Sequence, residues 1–232
     1  MRERLPNLIP VIVTLSVTPT TKGNYSNQSN TVSRVRCQRF PVSTSVSVYK
    51  SADAIVSSGY KWLRGTYGAA VAYISPAIRG GLNPGLLGFR SHVDIWNLRA
   101  DRMELPDDAS RFEYTTIHFG AALGLAAAVD EINEIGIQEV WRHDLALADS
   151  VIDGARRLGI EVASPLSDPE RSAIVSLRLP DGISSEDISR RLQDDYSILV
   201  TSRAGLLRVS PHIDNTEQDV QALLEALGQL LS

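Results

Sequence analysis

Sulfur is nearly absent: the 232 residues include one cysteine, Cys37, and two methionines. A single thiol cannot close an internal disulfide, and no CxxC or HExxH spacing builds a zinc site, so a metal-free chain in the reducing cytoplasm is expected. Long apolar runs are missing as well. The best candidate, LIPVIVTLSV at 8–17, is interrupted by Pro10 and is too short to span a bilayer. There is no basic excess: the formal net charge is -4, which leaves no electrostatic footprint for nucleic acid. Small-molecule or protein partners are therefore expected, with neither nucleic acid nor a membrane among them.

Acidic residues are scarce in one part only. Residues 1–52 carry 7 Lys and Arg against a single acid, Glu3, whereas 53–232 carry 16 basic and 26 acidic side chains. Residues 1–47 also hold 13 Ser and Thr and the polar cluster KGNYSNQSN at 22–30. With no sustained helical period, this segment is expected to be irregular. Its composition suits a transit peptide, a weak secretory signal around 8–17, or a non-native start.

What is present looks globular. Apolar residues make up 43% and charged residues 22%, and the length suffices for one large domain or two small ones. AIVSS at 54–58 and AAVAYIS at 69–75 are short apolar runs next to glycine, expected as buried strands of an α/β sheet. GGLNPG at 80–85 has the chemistry of a turn, and it lacks the Lys-Ser/Thr of a phosphate-binding P-loop. FGAALGLAAAVDEINEI at 119–135 predicts an Ala-rich helix buried on most sides, with Gly136 as its stop.

Ile137, Val140, Trp141, Leu145, Ala148, Val151, Ile152, Ala155 and Leu158 recur at intervals of three or four, predicting a long amphipathic helix that Gly159 ends. A second α/β unit follows, with strands at 173–179, 198–202 and 206–210. Ser184 with Asp187, and Thr216 with Asp219, have the spacing that opens a helix. Val220, Leu223, Leu224, Leu227 and Leu230 form the apolar stripe of the last one.

Two places could carry chemistry. Lys61 follows a strand and the small pair Ser58 and Gly59, with Tyr60 and Trp62 on either side. An amine kept near apolar surface loses its ammonium more readily and can attack a carbonyl; a Lys snorkelling at a strand end is the plain alternative. Arg203 and Arg208 flank a short apolar run, and a guanidinium binds carboxylate through two parallel N–H donors. Two unrelated surface arginines would satisfy the same spacing.

The run SSGYKWLRGTYGAA at 57–70 resembles the cofactor-lysine segment of class V aminotransferases, the branch of fold-type I pyridoxal-phosphate enzymes that includes cysteine desulfurases and isopenicillin-N-epimerase-like proteins. Asp53, Ile55, Val56, Ser57, Ser58, Gly59, Tyr60, Lys61, Gly65 and Gly68 match its pattern in order. RVSPHIDNTEQD at 208–219 is similar to the family's closing motif, and RFEYTTIHFG at 111–120 to its Arg-Phe-Glu-x-Gly-Thr segment, with Thr115 in place of the glycine. The resemblance covers about residues 46–232.

It implies that Lys61 holds pyridoxal 5'-phosphate covalently and acts as the base. Ser58 and Tyr60 would contact the phosphate, Arg203 and Arg208 would clamp an amino-acid carboxylate, and Thr116 would reach the cofactor of a partner subunit in a homodimer. Family members often have His where Tyr60 stands. The reaction would be transamination, epimerisation or elimination; no Cys follows Cys37, which disfavours the desulfurase version.

Other candidates are weaker. His92, His118, His143 and His212 are scattered; Asp144 and Asp149 beside His143 look like an exposed helix face; His118 could reach a cofactor. The family's upstream half supplies an aromatic to stack on the pyridine ring and an Asp for its nitrogen, yet no acid lies between Arg4 and Ala52. Val35 stands where the family's Asp-x-x-Gln motif has Asp, so Gln38 is not counted as a site residue. The expected fold class is α/β, part of a fold-type I pyridoxal-phosphate large-domain sheet plus a small C-terminal α/β domain. Its parts would be an irregular 1–47, a large-domain remnant at 48–136, and a connecting helix with the small domain at 137–232. An incomplete enzyme chain is the expectation, with a silent dimerisation or regulatory module of the same ancestry as the alternative.

Overall fold

The computed structural model describes residues 35–37, 53–167 and 170–232. The expectations for a transit peptide or signal, and for Gln38, lie outside them. The described chain divides into two compact units with a boundary between Glu134 and Ile135.

In the first unit, strands β1 (Val35–Cys37), β2 (Ala54–Ser58) and β3 (Ala70–Ile74) form a three-stranded sheet in that order. β1 runs parallel to β2, with Val35 beside Ala54; β2 and β3 are antiparallel, with Ala54 opposite Ile74 and Ser58 opposite Ala70. β1 departs from the expectation of an irregular 1–47. A short helix, α1 (Pro76–Arg79), opens on its proline, whose fixed φ suits the first turn. The longer α2 (Phe119–Ile135) packs Ala121 and Leu125 against Ala69, with Leu63, Val71 and Val129 around them.

Two burial expectations are corrected here. Of β2 and β3 only Ile55 is buried, and the rest are half-buried. α2 buries four residues, Ala121, Ala122, Leu125 and Ile132, while Phe119 and Leu123 are 60% and 70% exposed. Apolar composition reports the capacity to be buried, and the described part of this unit has too few layers to use it.

The second unit begins with α3 (Ile137–Arg157), entered through Gly136 at φ +93° and followed by Gly159 at φ +72°, both in a region glycine adopts without strain. Then come β4 (Glu161–Val162), β5 (Val175–Arg178), α4 (Ser185–Tyr196), β6 (Thr201–Arg203), β7 (Leu206–Val209) and α5 (Glu217–Leu231). The sheet order is β4-β5-β7-β6, antiparallel throughout. Ser184 accepts from the Asp187 N–H at the start of α4; Thr216 and Asp219 cap α5 reciprocally. β6 starts later than the expected 198–202.

Alternation decides which sheet face is core. Val175 and Leu177 on β5 and Leu207 and Val209 on β7 are buried, together with Val151, Leu192 and Leu227 from the three helices. The opposite face carries Ser176, Arg178, Thr201, Arg203 and Arg208, with Leu206 among them. β6 and β7 are joined by Ala204 and Gly205, both at positive φ (53° and 74°), the conformation of a two-residue type I′ hairpin. Ala204 carries a Cβ where glycine would carry none. Ala204→Gly should therefore raise stability by about 1 kcal/mol, read as a higher urea midpoint with an unchanged slope; no rise would mean that the turn relaxes without strain.

Candidate active site

The β2–β3 connection determines where Lys61 lies. Gly59 N–H donates to Ala69 O (3.0 Å) and Gly65 N–H to Gly59 O (2.8 Å), which folds residues 59–65 into a closed loop beyond the last ladder pair. Arg64 N–H reaches back to Lys61 O (2.8 Å), with Arg64 at φ 57°. The loop is docked on α2. Cβ atoms at Gly59 and Gly65 would come within 3.0 Å and 2.7 Å of Leu125 side-chain atoms, so both positions need glycine for close packing. Thr66 Oγ1 donates to Ala121 O (3.2 Å), and Arg64 Nη1 pairs with Glu131 (3.1 Å).

Lys61 is exposed at the tip of this loop, with Nζ 5.6 Å from the Tyr60 ring centroid. The sheltered amine anticipated from the flanking aromatics is thus corrected: Trp62 is half-buried, and Tyr60, itself 40% exposed, is the ring beside it. A hairpin tip projects past its sheet, and the described residues place no second layer over it. Ser58 is half-buried at the end of β2; Thr116 is exposed in the segment leading to α2. His118, also exposed, caps α2 by accepting the Ala121 N–H on Nδ1 (3.0 Å), a structural role.

Arg203 and Arg208 lie in the second unit, and the hairpin brings them together. Arg203 faces Leu206 and Thr201 faces Arg208 across the β6–β7 ladder. Directly opposed residues project to the same side of a sheet, and so do residues two apart. Both arginines therefore share the face opposite the core, as diagonal neighbours about 7–8 Å apart.

Asp144 corrects another expectation. It is fully buried, with His212 Nδ1 3.0 Å and 3.3 Å from its two carboxylate oxygens. His143 Nε2 lies 3.0 Å from Asn215 O, so adjacent residues of α3 grip the loop between β7 and α5. Asp149, in contrast, is exposed and pairs with Arg171.

The aminotransferase class-V family model matches residues 43–223. The chain belongs to this family. A probable cysteine desulfurase from Methanothermobacter thermautotrophicus is 26% identical over an alignment of 202 positions that covers 77% of this chain and 48% of that protein. An isopenicillin N epimerase from Amycolatopsis lactamdurans is 28% identical over an alignment of 195 positions that covers 77% of this chain and 47% of that protein. Among solved structures, the apo cysteine desulfurase from Thermococcus onnurineus NA1 superposes with a TM-score of 0.69 at 28% identity, covering 78% of this chain and 47% of that one. The chain spans about half the length of the curated relatives it matches.

The mixed α/β fold is that of fold-type I pyridoxal-phosphate enzymes. The residues present suit the cofactor at two of its ends. Among the described residues no carboxylate pairs with Lys61, and the hydroxyls of Ser58, Tyr60 and Thr116 donate to no acceptor. An accessible amine suits the aldehyde, and uncommitted hydroxyls suit the phosphate. No helix among the described residues is long and apolar enough to cross a membrane.

Proposed function

We propose that this chain carries the lysine-bearing and C-terminal parts of a pyridoxal-phosphate enzyme acting on an amino acid by transamination, epimerisation or elimination. The observation that carries the reading is the Lys61 loop: an exposed amine beside the Tyr60 ring, three residues after Ser58, in a chain whose residues 43–223 match the class V family.

Each residue would have a separate task. Ser58 Oγ and Tyr60 Oη donate hydrogen bonds to the cofactor phosphate, Tyr60 as a neutral phenol. Bound pyridoxal phosphate supplies an electron sink for the charge that develops at the substrate α-carbon. Lys61 Nζ takes up the α-proton and returns it, as a positioned general base. Arg203 and Arg208, diagonal on one sheet face, bind the substrate carboxylate through paired N–H donors. With Cys37 the single thiol of the sequence and none downstream of Lys61, sulfur acceptance by a thiol in the C-terminal part is not included. The working form on this reading is a cytoplasmic homodimer, in which Thr116 donates to the phosphate of the partner's cofactor.

The test is direct. The full chain is mixed with pyridoxal phosphate, reduced with borohydride and digested, and the added mass is located among Lys22, Lys50 and Lys61. Saturable visible absorbance and mass on Lys61 are expected, with both lost in Lys61→Ala. No adduct on Lys61 at any cofactor excess, or undiminished absorbance in the variant, would overturn the assignment.

A further inference from the structure

We propose that Tyr67 is a positioning residue for the Lys61 amine and acts through the ring of Tyr60. The rings of Tyr60 and Tyr67 stack with centroids 4.5 Å apart and 23° between their planes. Lys61 Nζ lies 5.6 Å from the Tyr60 centroid, inside the range in which an ammonium is attracted by a ring face. A stacked ring at 4.5 Å leaves no room for an ammonium between the two, so Tyr67 covers one face of Tyr60 and the cation uses what is left.

The backbone builds this arrangement. The Gly65 N–H to Gly59 O and Gly59 N–H to Ala69 O bonds lay residues 65–69 beside 59–60, and Gly68 at φ +91° turns the chain after Tyr67. Burial does not account for Tyr67, which is 81% exposed. Its ring is held in the stack with Tyr60. By restricting the Tyr60 ring, Tyr67 gives the Lys61 ammonium a defined perch on the remaining face of that ring, in place of a flexible four-carbon stem in water.

The inference rests on Lys61 being the condensing amine, and its test separates the two claims. The full chain, Tyr67→Leu and Tyr67→Phe are exposed to a limiting amount of a water-soluble amine-acylating reagent. Acetylation of Lys61 is then measured by peptide mass spectrometry against Lys22 and Lys50 of the same molecule. Tyr67→Leu should raise the relative rate at Lys61 about two- to fivefold, the span set by an exposed cation–π contact. Tyr67→Phe, which keeps the stack, should match the unsubstituted chain. Both substitutions are at an exposed ring, and far-UV circular dichroism verifies that the fold is kept.

An unchanged Lys61 rate in Tyr67→Leu overturns the proposal. Equal changes in the two variants also overturn it, because they assign the effect to the hydroxyl. If acetylation shifts as expected while pyridoxal phosphate forms no adduct on Lys61 of the unsubstituted chain, the positioning role stands and the cofactor reading falls.

Discussion

Gly88→Ala is expected to destabilise the first unit by about 3 kcal/mol, the upper range for forcing extra atoms into a packed site. An ideal Cβ at Gly88 would lie deep inside the van der Waals radius of Tyr114 O and 2.8 Å from Tyr114 C. The obstacle is backbone, which cannot rotate aside as a side chain would. Backbone preference is not the cause, since Gly88 is extended (φ −153°, ψ −171°). What fails is a lock between two segments. Ser91 Oγ accepts the Gly88 N–H (3.2 Å) and donates to Glu113 O (2.8 Å), and Arg90 holds the Glu113 carboxylate through Nε (3.0 Å) and Nη2 (2.7 Å). Pushing Tyr114 away separates these pairs and displaces the strand of chain that presents Thr116. Limited trypsin digestion at Arg90, Arg99 and Arg102 should accelerate at least tenfold. Gly85→Ala, whose Cβ would meet nothing within 4 Å, is the control. Equal digestion rates in the two variants would refute the lock.

Local signals in the sequence were reliable where one segment carried its own pattern. AIVSS gave β2 at its full length, Thr216 and Asp219 gave a reciprocal cap, and the interval pattern from Val140 to Ala155 gave the buried side of α3. What depended on distant partners was not legible. The amine of Lys61 was expected to be sheltered because aromatics flank it, but a side chain at a hairpin tip is covered only by what lies across from it. Tyr67 is separated from Tyr60 by a glycine loop, and no periodicity links them. Asp144 was legible but misjudged: it lies four residues after Val140 and three before Leu147, on the buried stripe, and its charge alone suggested an exposed face. A carboxylate on an apolar stripe is a signal to look for a buried partner.

That partner defines the second large effect. His212→Leu should cost the second unit about 3 kcal/mol, because it removes the imidazole that faces both oxygens of a fully buried carboxylate. Asp144 is 0% exposed and its two oxygens are both within 3.3 Å of His212 Nδ1. The imidazole is fixed in turn: the His212 N–H donates to Asn215 Oδ1 (3.1 Å) and the Asn215 N–H to His212 O (2.8 Å). Loss of the ring therefore takes the imidazole away from the buried carboxylate, while the backbone bonds of the surrounding turn do not depend on the ring. The pair itself need not be stabilising, since desolvating both groups offsets much of their attraction. Asp144→Leu combined with His212→Leu should consequently lie closer to the unsubstituted chain than His212→Leu alone, a coupling that a double-mutant cycle isolates. Urea denaturation followed by Trp141, which packs against the core of this unit, measures all four species. Strictly additive losses would mean that Asp144 is compensated by other groups and that His212 serves only to fill space.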